Sequence, residues 1–405
     1  MFEDYRGISR QAMFLIYAGF IPALTYGLLY TDLSYFLPIV QGVSSDFMSI
    51  VLTIMGLSVV SFSIPLGIAA DRYGRKRMLI VGNVVASLVV ALFALTTNVY
   101  ILFVAAVLEG ASEAAFSSSS GALLADLAGD EKRMSAFSLL GFLSSIASGV
   151  GCFAIPLVVV FQFFGFSSRS GHVMLYLVVA TLGLLSTVFV LKIGKTNTVQ
   201  RGGGIRGFVP KKSRNVLIKY IVANSMIALG AGLFYPLMTY WFKLQYGVPD
   251  TISGPILGIS SILIGISALA APSLARRVGI VKSIVITQGV STAFMLATPF
   301  APEFSLASVF YTARTFLMNV ASPLQQSMIM GLVTPEERGA ASGISTALWR
   351  LPNSFSVYAG RWLMDQGLLA EPFYVATLLY VVSIAAFWRF FNKVKMSGEA
   401  VVGVN

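Results

Sequence analysis

Apolar stretches of about 18 residues or more recur from one end of this sequence to the other, separated by short charged or Gly/Pro-rich breaks. Each is long enough to cross a hydrocarbon core of about 30 Å as a helix. Hydrophobic residues make up 56% of the 405-residue chain and charged ones 11%. A water-soluble protein of this length and composition has too few polar side chains to cover its surface. Membrane spans are therefore the first assignment. The first stretch, from about Gln11 to Val40, has no small-residue cleavage site after a short apolar segment, so it reads as a permanent helix and not a signal peptide. Cys152 is the single cysteine, which excludes an internal disulfide, a zinc cluster and an iron–sulfur site.

The breaks place spans near 12–40, 46–70, 78–97, 100–126, 134–163 and 171–193, and a second set near 215–243, 251–275, 280–300, 304–331, 339–364 and 372–391. Twelve spans put both termini on one side. Lys and Arg in short loops are retained on the cytoplasmic side. Of the 28 such residues, all but Arg169, Lys243, Arg314, Arg350 and Arg361 fall in the termini and even-numbered loops. Both termini are thus expected in the cytoplasm of a cell-membrane protein. The net charge of +11 mostly records this topology, and nucleic-acid binding is not needed to explain it.

An internal repeat appears when each residue is laid over the one 205 positions later. Gly27-Leu28-Leu29-Tyr30 falls on Gly232-Leu233-Phe234-Tyr235 (232 − 27 = 205), Tyr35 on Tyr240, and Gly42-Val43 on Gly247-Val248. Arg72-Tyr73-Gly74 overlies Arg277-Val278-Gly279, and Arg133 overlies Arg338 (338 − 133 = 205). General apolarity does not make glycine and arginine coincide in loops. The sequence therefore predicts two six-helix bundles, 1–193 and 215–405, joined by a Gly- and Arg/Lys-rich cytoplasmic linker at 194–214.

The loop after the second span reads Gly67-Ile68-Ala69-Ala70-Asp71-Arg72-Tyr73-Gly74-Arg75-Lys76-Arg77. It resembles the loop signature between helices two and three of the major facilitator superfamily, with Ala69 in place of a larger apolar residue. Locally, Gly67 should let a neighbouring helix approach, Gly74 should permit a tight turn, and the cations suit anionic headgroups. The resemblance implies an all-α fold of twelve transmembrane helices in two pseudo-symmetric bundles. It also implies that Gly67, Asp71, Arg72, Gly74 and Arg75 take part in gating, with Asp71 facing the positive N-terminus of the eleventh helix, just after Arg338. In the second-half copy Pro272 stands at the place of Gly67 and Arg276 at that of Asp71, so such a latch is one-sided.

Charges kept inside spans cost about 2.5–3.5 kcal/mol each on insertion scales, so their positions are informative. They are Asp32 in the first span, Glu109 and Glu113 in the fourth, Arg314 in the tenth and Arg350 in the eleventh. Glu109 and Arg314 are repeat equivalents (314 − 109 = 205). Glu109 and Glu113 share a helix face with Phe116 and Ser120. In the family, spans one, four, seven and ten line the central cavity. Desolvation and like-charged neighbours favour the neutral form of a carboxylate, as loading a coupling proton requires. Asp32 and Glu113 are accordingly expected to bind the coupling proton, and Glu109 to pair with Arg314. Tyr26, Tyr30, Tyr235, Tyr240, Asn319 and Gln325, with Arg314 and Arg350, are the candidate solute contacts. The four serines Ser117 to Ser120 read as a close helix contact.

The loop signature and the acid in the first span resemble proton-driven drug and metabolite exporters. Two features depart from them: Ala106 stands where their fourth helix carries arginine, and their fifth-helix motif is only suggested by Gly141, Gly149, Gly151 and Pro156. Arg314 and Arg350 would equally suit uptake of an organic anion or sugar acid. A sensor or lipid carrier on the same fold is the third reading. An enzyme is not expected, since no domain outside the membrane holds a site. His172 is placed at an outer loop, and with no Cys or second His beside it neither a metal nor another cofactor is expected. The expected partners are a small solute, protons and the lipid bilayer, with the chain acting as a monomer.

Overall fold

Short polar side chains start the helices where the apolar runs begin. Ser9 Oγ accepts the Ala12 N–H at 3.1 Å, Ser44 Oγ the Phe47 N–H at 3.2 Å, and Ser167 Oγ the Ser170 N–H at 3.1 Å. Asn98 Oδ1 accepts from Tyr100 N–H at 3.0 Å. Each satisfies a donor that a helix leaves unpaired in its first turn. The protein is described by a computed structural model covering residues 7–194, 213–333, 338–393, 395–397 and 400–402. The linker expected at 194–214 lies, apart from its ends, outside the described residues.

The bundle helices are α1 (Arg10–Val40), α2 (Ser45–Tyr73), α3 (Arg75–Leu95), α4 (Val99–Gly129), α5 (Ser135–Phe163) and α6 (Ser168–Leu191). They continue as α7 (Arg214–Tyr246), α8 (Asp250–Val278), α9 (Ile280–Phe300), α10 (Phe304–Leu332), α11 (Arg338–Asp365) and α12 (Glu371–Phe391). This is the twelve-helix, all-α architecture expected from the apolar runs. Ten of the helices are, over their described residues, long and apolar enough to span a membrane; the other two, α10 and α11, carry Arg314 and Arg350. Large apolar side chains such as Leu88, Leu185, Ile286 and Leu378 stay exposed along the helices, which suits lipid and not water. Helix α1 widens into a π-helical turn at Phe36–Val40, and α7 is interrupted by a 3₁₀ turn at Tyr235–Leu237. A short hairpin, β1 (Lys395–Ser397) with β2 (Ala400–Val402), follows the last helix.

The structure supplies physical reasons for the repeat. Gly74 and Gly279, equivalent positions, are the single residues separating α2 from α3 and α8 from α9, with φ of +102° and +88°. Gly42 and Gly247 turn the chain after α1 and α7 with φ of +74° and +69°. These angles strain any residue with a Cβ. A third equivalent pair marks helix crossings. A Cβ on Gly27 would lie 2.1 Å from the Ser148 carbonyl oxygen, and one on Gly232 would lie 2.1 Å from the Asn353 carbonyl oxygen (353 − 148 = 205). Helices α1 and α5, and again α7 and α11, thus cross backbone against backbone. At Gly67 the nearest atom to such a Cβ among the described residues is Ser118 Cβ at 3.9 Å, an ordinary contact with α4.

Two compact units form. The first comprises Met1–Arg201, Met238–Lys243 and Val248–Ile262; the second comprises Gly202–Leu237, Leu244–Gly247 and Leu263–Asn405. The first unit therefore takes in segments of α7 and α8 as well as the residues before the linker. Thr239 Oγ donates to the Thr31 carbonyl, and Gly258 lies so near Gly149 that a Cβ would come within 2.9 Å of its carbonyl oxygen. One apolar core of the first unit gathers Leu15, Ile16, Leu79, Leu123, Leu124 and Val190. In the second, Leu217, Ile284, Leu324, Met328, Phe387 and Phe391 do the same.

Candidate functional site

The most deeply buried charged cluster lies in the first unit and is built on three helices. Asp32, near the far end of α1, is fully buried. Tyr176 on α6 donates its hydroxyl to Asp32 Oδ2 at 3.0 Å, while Oδ1 has no hydrogen-bond partner. One turn earlier on α6, His172 is also buried, and its Nε2 stands 2.7 Å from Oδ2 of Asp250, the first residue of α8. Phe36 stacks against both rings, 5.4 Å from His172 and 4.8 Å from Tyr176. The site of His172 corrects the expectation of an outer loop: Ser167 caps α6 at Ser168, so the imidazole sits inside the helix and faces the bundle.

His172 Nδ1 is 2.8 Å from the Ser168 carbonyl oxygen. A carbonyl only accepts, so Nδ1 carries a hydrogen, and the 2.7 Å contact at Nε2 holds a further proton shared with Asp250. One ligand atom from each of Asp32, His172 and Asp250 lies within 4.8 Å of the others, a donor set chemically able to hold a cation. Ligands on a tetrahedral zinc, bound at about 2.0–2.2 Å, stand about 3.3–3.6 Å apart. The shorter Nε2–Oδ2 separation is that of a hydrogen bond, so the cation held in this arrangement is a proton.

A second cluster of the same unit joins α1 to α4. The rings of Tyr26 and Tyr30 lie 4.1 Å apart, and Tyr30 donates its hydroxyl to Glu113 Oε2 at 3.2 Å. Glu109, one turn before Glu113, is buried, and its Oε2 has no hydrogen-bond partner. Gly110 beside it sits where a Cβ would meet the Met55 carbonyl oxygen at 2.3 Å, which presses α4 against α2. The sequence placed Asp32 with Glu113. The structure gives Asp32 the partners Tyr176 and, nearby, His172 and Asp250, and gives Glu113 the partner Tyr30.

In the second unit Arg314 is buried on α10. Its Nη2 donates to the Tyr380 hydroxyl at 2.6 Å, and its guanidinium lies 5.0 Å from the Phe234 ring centre and 5.6 Å from that of Tyr380. Arg314 Nε has no hydrogen-bond partner. Asn319 donates to its own helix at the Thr315 carbonyl, and Gln325 donates to Asn224 Oδ1 at 3.0 Å. Tyr235 is exposed, Tyr240 is buried, and Arg350 is half-buried on α11.

At the α2–α3 loop, Arg75 donates to Asp71 Oδ1 at 2.9 Å and to the Ala122 carbonyl at 3.2 Å, and pairs with Asp126. Lys76 donates to the Leu191 carbonyl at 2.9 Å, at the C-terminal end of α6, where a cation is favoured. Asp71 thus has a partner in its own unit. The side chains at the start of α11, expected to face Asp71, lie outside the described residues. Arg72 sits over the Tyr73 ring at 5.9 Å.

Ten helices long and apolar enough to cross a membrane, with α10 and α11 beside them carrying Arg314 and Arg350, mark a polytopic membrane protein. The sequence pattern of the Major Facilitator Superfamily matches residues 11–349, and the chain belongs to that family. It is 26% identical over 168 residues to the inner membrane transport protein YajR of Escherichia coli (strain K12), covering 41% of this chain and 35% of that protein. It is 22% identical to Multidrug resistance protein 2 of Bacillus subtilis (strain 168), covering 93% of this chain and 94% of that protein. Among solved structures, the nucleoside transporter NupG superposes with a TM-score of 0.74 at 15% identity, covering 95% of this chain and 100% of that one. A bacterial homologue of the human lysosomal transporter Spinster, inward-facing and unoccupied, gives 0.76 at 12% identity, covering 95% and 97%. These structural likenesses bear on the fold.

Proposed function

We propose that the chain is a secondary active transporter that exports a small drug or metabolite by alternating access in exchange for protons. The observation that carries the reading is Asp32, a fully buried carboxylate with one oxygen lacking any partner. The Tyr176 hydroxyl compensates an ionised Asp32 only in part for its lost hydration, and an added proton removes the remaining deficit. Export is supported by the relative named Multidrug resistance protein 2, which aligns over 93% of the chain. Glu109 and Glu113 act with Asp32 as proton carriers, Glu109 pairs with Arg314 in part of the cycle, and Tyr26, Tyr30, Tyr235, Asn319 and Arg350 contact the solute. Gly67, Asp71, Arg72, Gly74 and Arg75 form the gate. The protein works as a monomer in the cell membrane with both termini cytoplasmic, as the Lys/Arg distribution supports.

The test is reconstitution into liposomes enclosing a pH dye, with grouped compounds added to wild type and Asp32→Asn. Substrate-dependent proton movement lost in the variant supports coupling. Solute flux without proton movement in wild type removes it. A second reading, uptake of an organic anion, rests on the buried Arg314 with its unpartnered Nε. Uptake of sugar acids that stops in Arg314→Gln would favour that reading over export.

A further inference from the structure

The Asp32–His172–Asp250 cluster does more than store a proton. Asp250 opens α8, yet the segment Val248–Ile262 that it leads packs within the first unit. When protonated, His172 carries a charge for which two carboxylates are in reach. Asp250 holds it at 2.7 Å, and Asp32 presents an unpartnered Oδ1 in the same cluster. The other titratable side chains around Asp32 are Tyr176 on α6, bonded to its Oδ2, Tyr35 on α1, and Cys152 on α5. Among the described residues no lysine or arginine joins the group. Formal charges decide its stable form. With His172 protonated and Asp250 ionised, a protonated Asp32 leaves the cluster neutral, whereas an ionised Asp32 leaves one uncompensated negative charge in a dry interior.

We propose that Asp32 and Asp250 compete for the single positive charge of His172, so that the proton on Asp32 decides whether the start of α8 stays packed in the first unit. This deepens the proposed function, since it rests on Asp32 as the proton-binding group. When Asp32 is protonated it no longer attracts the imidazolium, and His172 keeps Asp250 and the segment behind it in place. When Asp32 loses its proton, it draws His172 away, and Asp250 is left as a buried charge without its partner. Moving the segment 248–262 toward water relieves that charge. His172 is therefore a positioning residue that transmits the protonation of α1 to α8.

The chain carries its own reporter of that movement. Cys152, its single cysteine, is buried beneath the segment: a Cβ on Gly258 would lie 3.1 Å from Cys152 Cβ, and one on Gly254 3.3 Å from the Cys152 carbonyl oxygen. The thiol is shut in between the segment and α1, where Thr31 Oγ1 lies 3.1 Å from it, and lifting the segment opens it to a maleimide. Labelling of the purified full chain in detergent is measured at about pH 5.5 and about pH 8, between which the proposal has Asp32 release its proton. Each rate is divided by that of the detergent-unfolded chain at the same pH, which cancels the thiol's own titration.

The wild type should label severalfold faster at the higher pH. Asp32→Asn should label slowly at both. Asp250→Asn should label about tenfold faster than wild type at the lower pH, the open population rising as the buried pair is lost. The exchange His172→Asp with Asp250→His should restore slow labelling at low pH, and it decides the matter where Asp250→Asn does not fold. Equal normalised wild-type rates at the two pH values overturn the proposal. So does a folded Asp250→Asn protein with the wild-type pH profile, or a folded exchange variant that labels fast. The labelling uses neither substrate nor gradient. A pH-dependent rate without proton-coupled flux in liposomes would therefore overturn coupled transport while leaving the latch standing, and the reverse pattern would remove the latch alone.

Discussion

Replacing Gly27 by alanine should push α1 away from α5, and the structure fixes the scale of the effect. The new Cβ would stand 2.1 Å from the Ser148 carbonyl oxygen and 2.6 Å from its carbonyl carbon, both backbone atoms that cannot rotate aside. Restoring an ordinary carbon–oxygen contact of about 3.2–3.4 Å requires the helices to part by roughly 1 Å, which forfeits dispersion contacts along the whole crossing. The neighbouring contact suffers with it, because a Cβ on Gly151 would already come within 2.0 Å of the Leu24 carbonyl oxygen. Overpacking of this kind costs about 1–3 kcal/mol, and clashes with backbone belong at the upper end. Alanine's better helix propensity returns up to about 1 kcal/mol, leaving a net loss of about 1–2 kcal/mol. Gly141 and Gly289 provide the control, since nothing among the described residues lies within 4 Å of a Cβ at either. There the same substitution should be neutral or stabilising by up to about 1 kcal/mol. Unfolding midpoints in one detergent at one heating rate should fall by about 1–2 °C for Gly27→Ala and for its equivalent Gly232→Ala. They should hold or rise for Gly141→Ala and Gly289→Ala. Because Gly27 and Gly232 lie in different units, their effects should add. A midpoint for Gly27→Ala matching that of Gly141→Ala would show that the α1–α5 crossing is not held by the absent methyl group.

Asn83 joins α3 to α6 through Nδ2, which lies 2.9 Å from the Gly183 carbonyl oxygen, 3.0 Å from Ser186 Oγ and 2.8 Å from Thr187 Oγ1. Asn83→Ala should cost about 1–3 kcal/mol in chemical unfolding, and a loss indistinguishable from zero would deny the buried network any part in stability. Arg314 and Tyr380 form a unit, so a double-mutant cycle with Arg314→Lys and Tyr380→Phe should show a coupling of about 1–2 kcal/mol; strict additivity would mean that the 2.6 Å contact contributes nothing. Arg75 bridges Asp71 and Asp126, whose side chains are 42% and 41% exposed, so solvent screens both pairs. Arg75→Ala should therefore shift stability by less than about 1 kcal/mol while quickening proteolysis at the α2–α3 loop, and an unchanged cleavage rate would count against its role as a staple. Tyr30→Phe removes only the hydroxyl that reaches Glu113, and should raise KM about threefold to tenfold at constant kcat if that pair contacts the solute. An unaltered KM would place the pair outside the solute site.

Properties with a long period were legible in the sequence. Apolar runs locate the helices because each must span a fixed thickness, and the 205-residue offset shows through Gly42, Gly74 and their equivalents because φ above zero tolerates little else. The Gly27–Ser148 contact left half a trace: glycine recurs at 232, but Ser148 is matched by Asn353, since a backbone carbonyl leaves the side chain free to vary. The buried charges were visible one at a time, whereas their partners were not. His172 and Asp250 are 78 residues apart and both sit close to the N-terminal ends of their helices, where charges are ordinarily solvated. Only the packing of α8's first half into the first unit brings them beside Asp32. Tyr380 was missed as the partner of Arg314 for a related reason, since a tyrosine in a membrane helix most often marks packing or an interface.

The matching helix crossings at Gly27 and Gly232 have a consequence for how such a chain can recognise cargo. A protein fused from two copies of one ancestral half starts with every contact in duplicate, and offers a molecule without twofold symmetry two identical ways to bind. Selectivity for such a molecule grows only at positions where the copies have drifted apart in kind. Here Gly27, Gly42 and Gly74 have kept their duplicates, while Glu109 is matched by Arg314, Asp71 by Arg276 and Asp32 by Leu237 in the alignment. Ancestry is recorded in the crossings, and individuality in those three mismatched places.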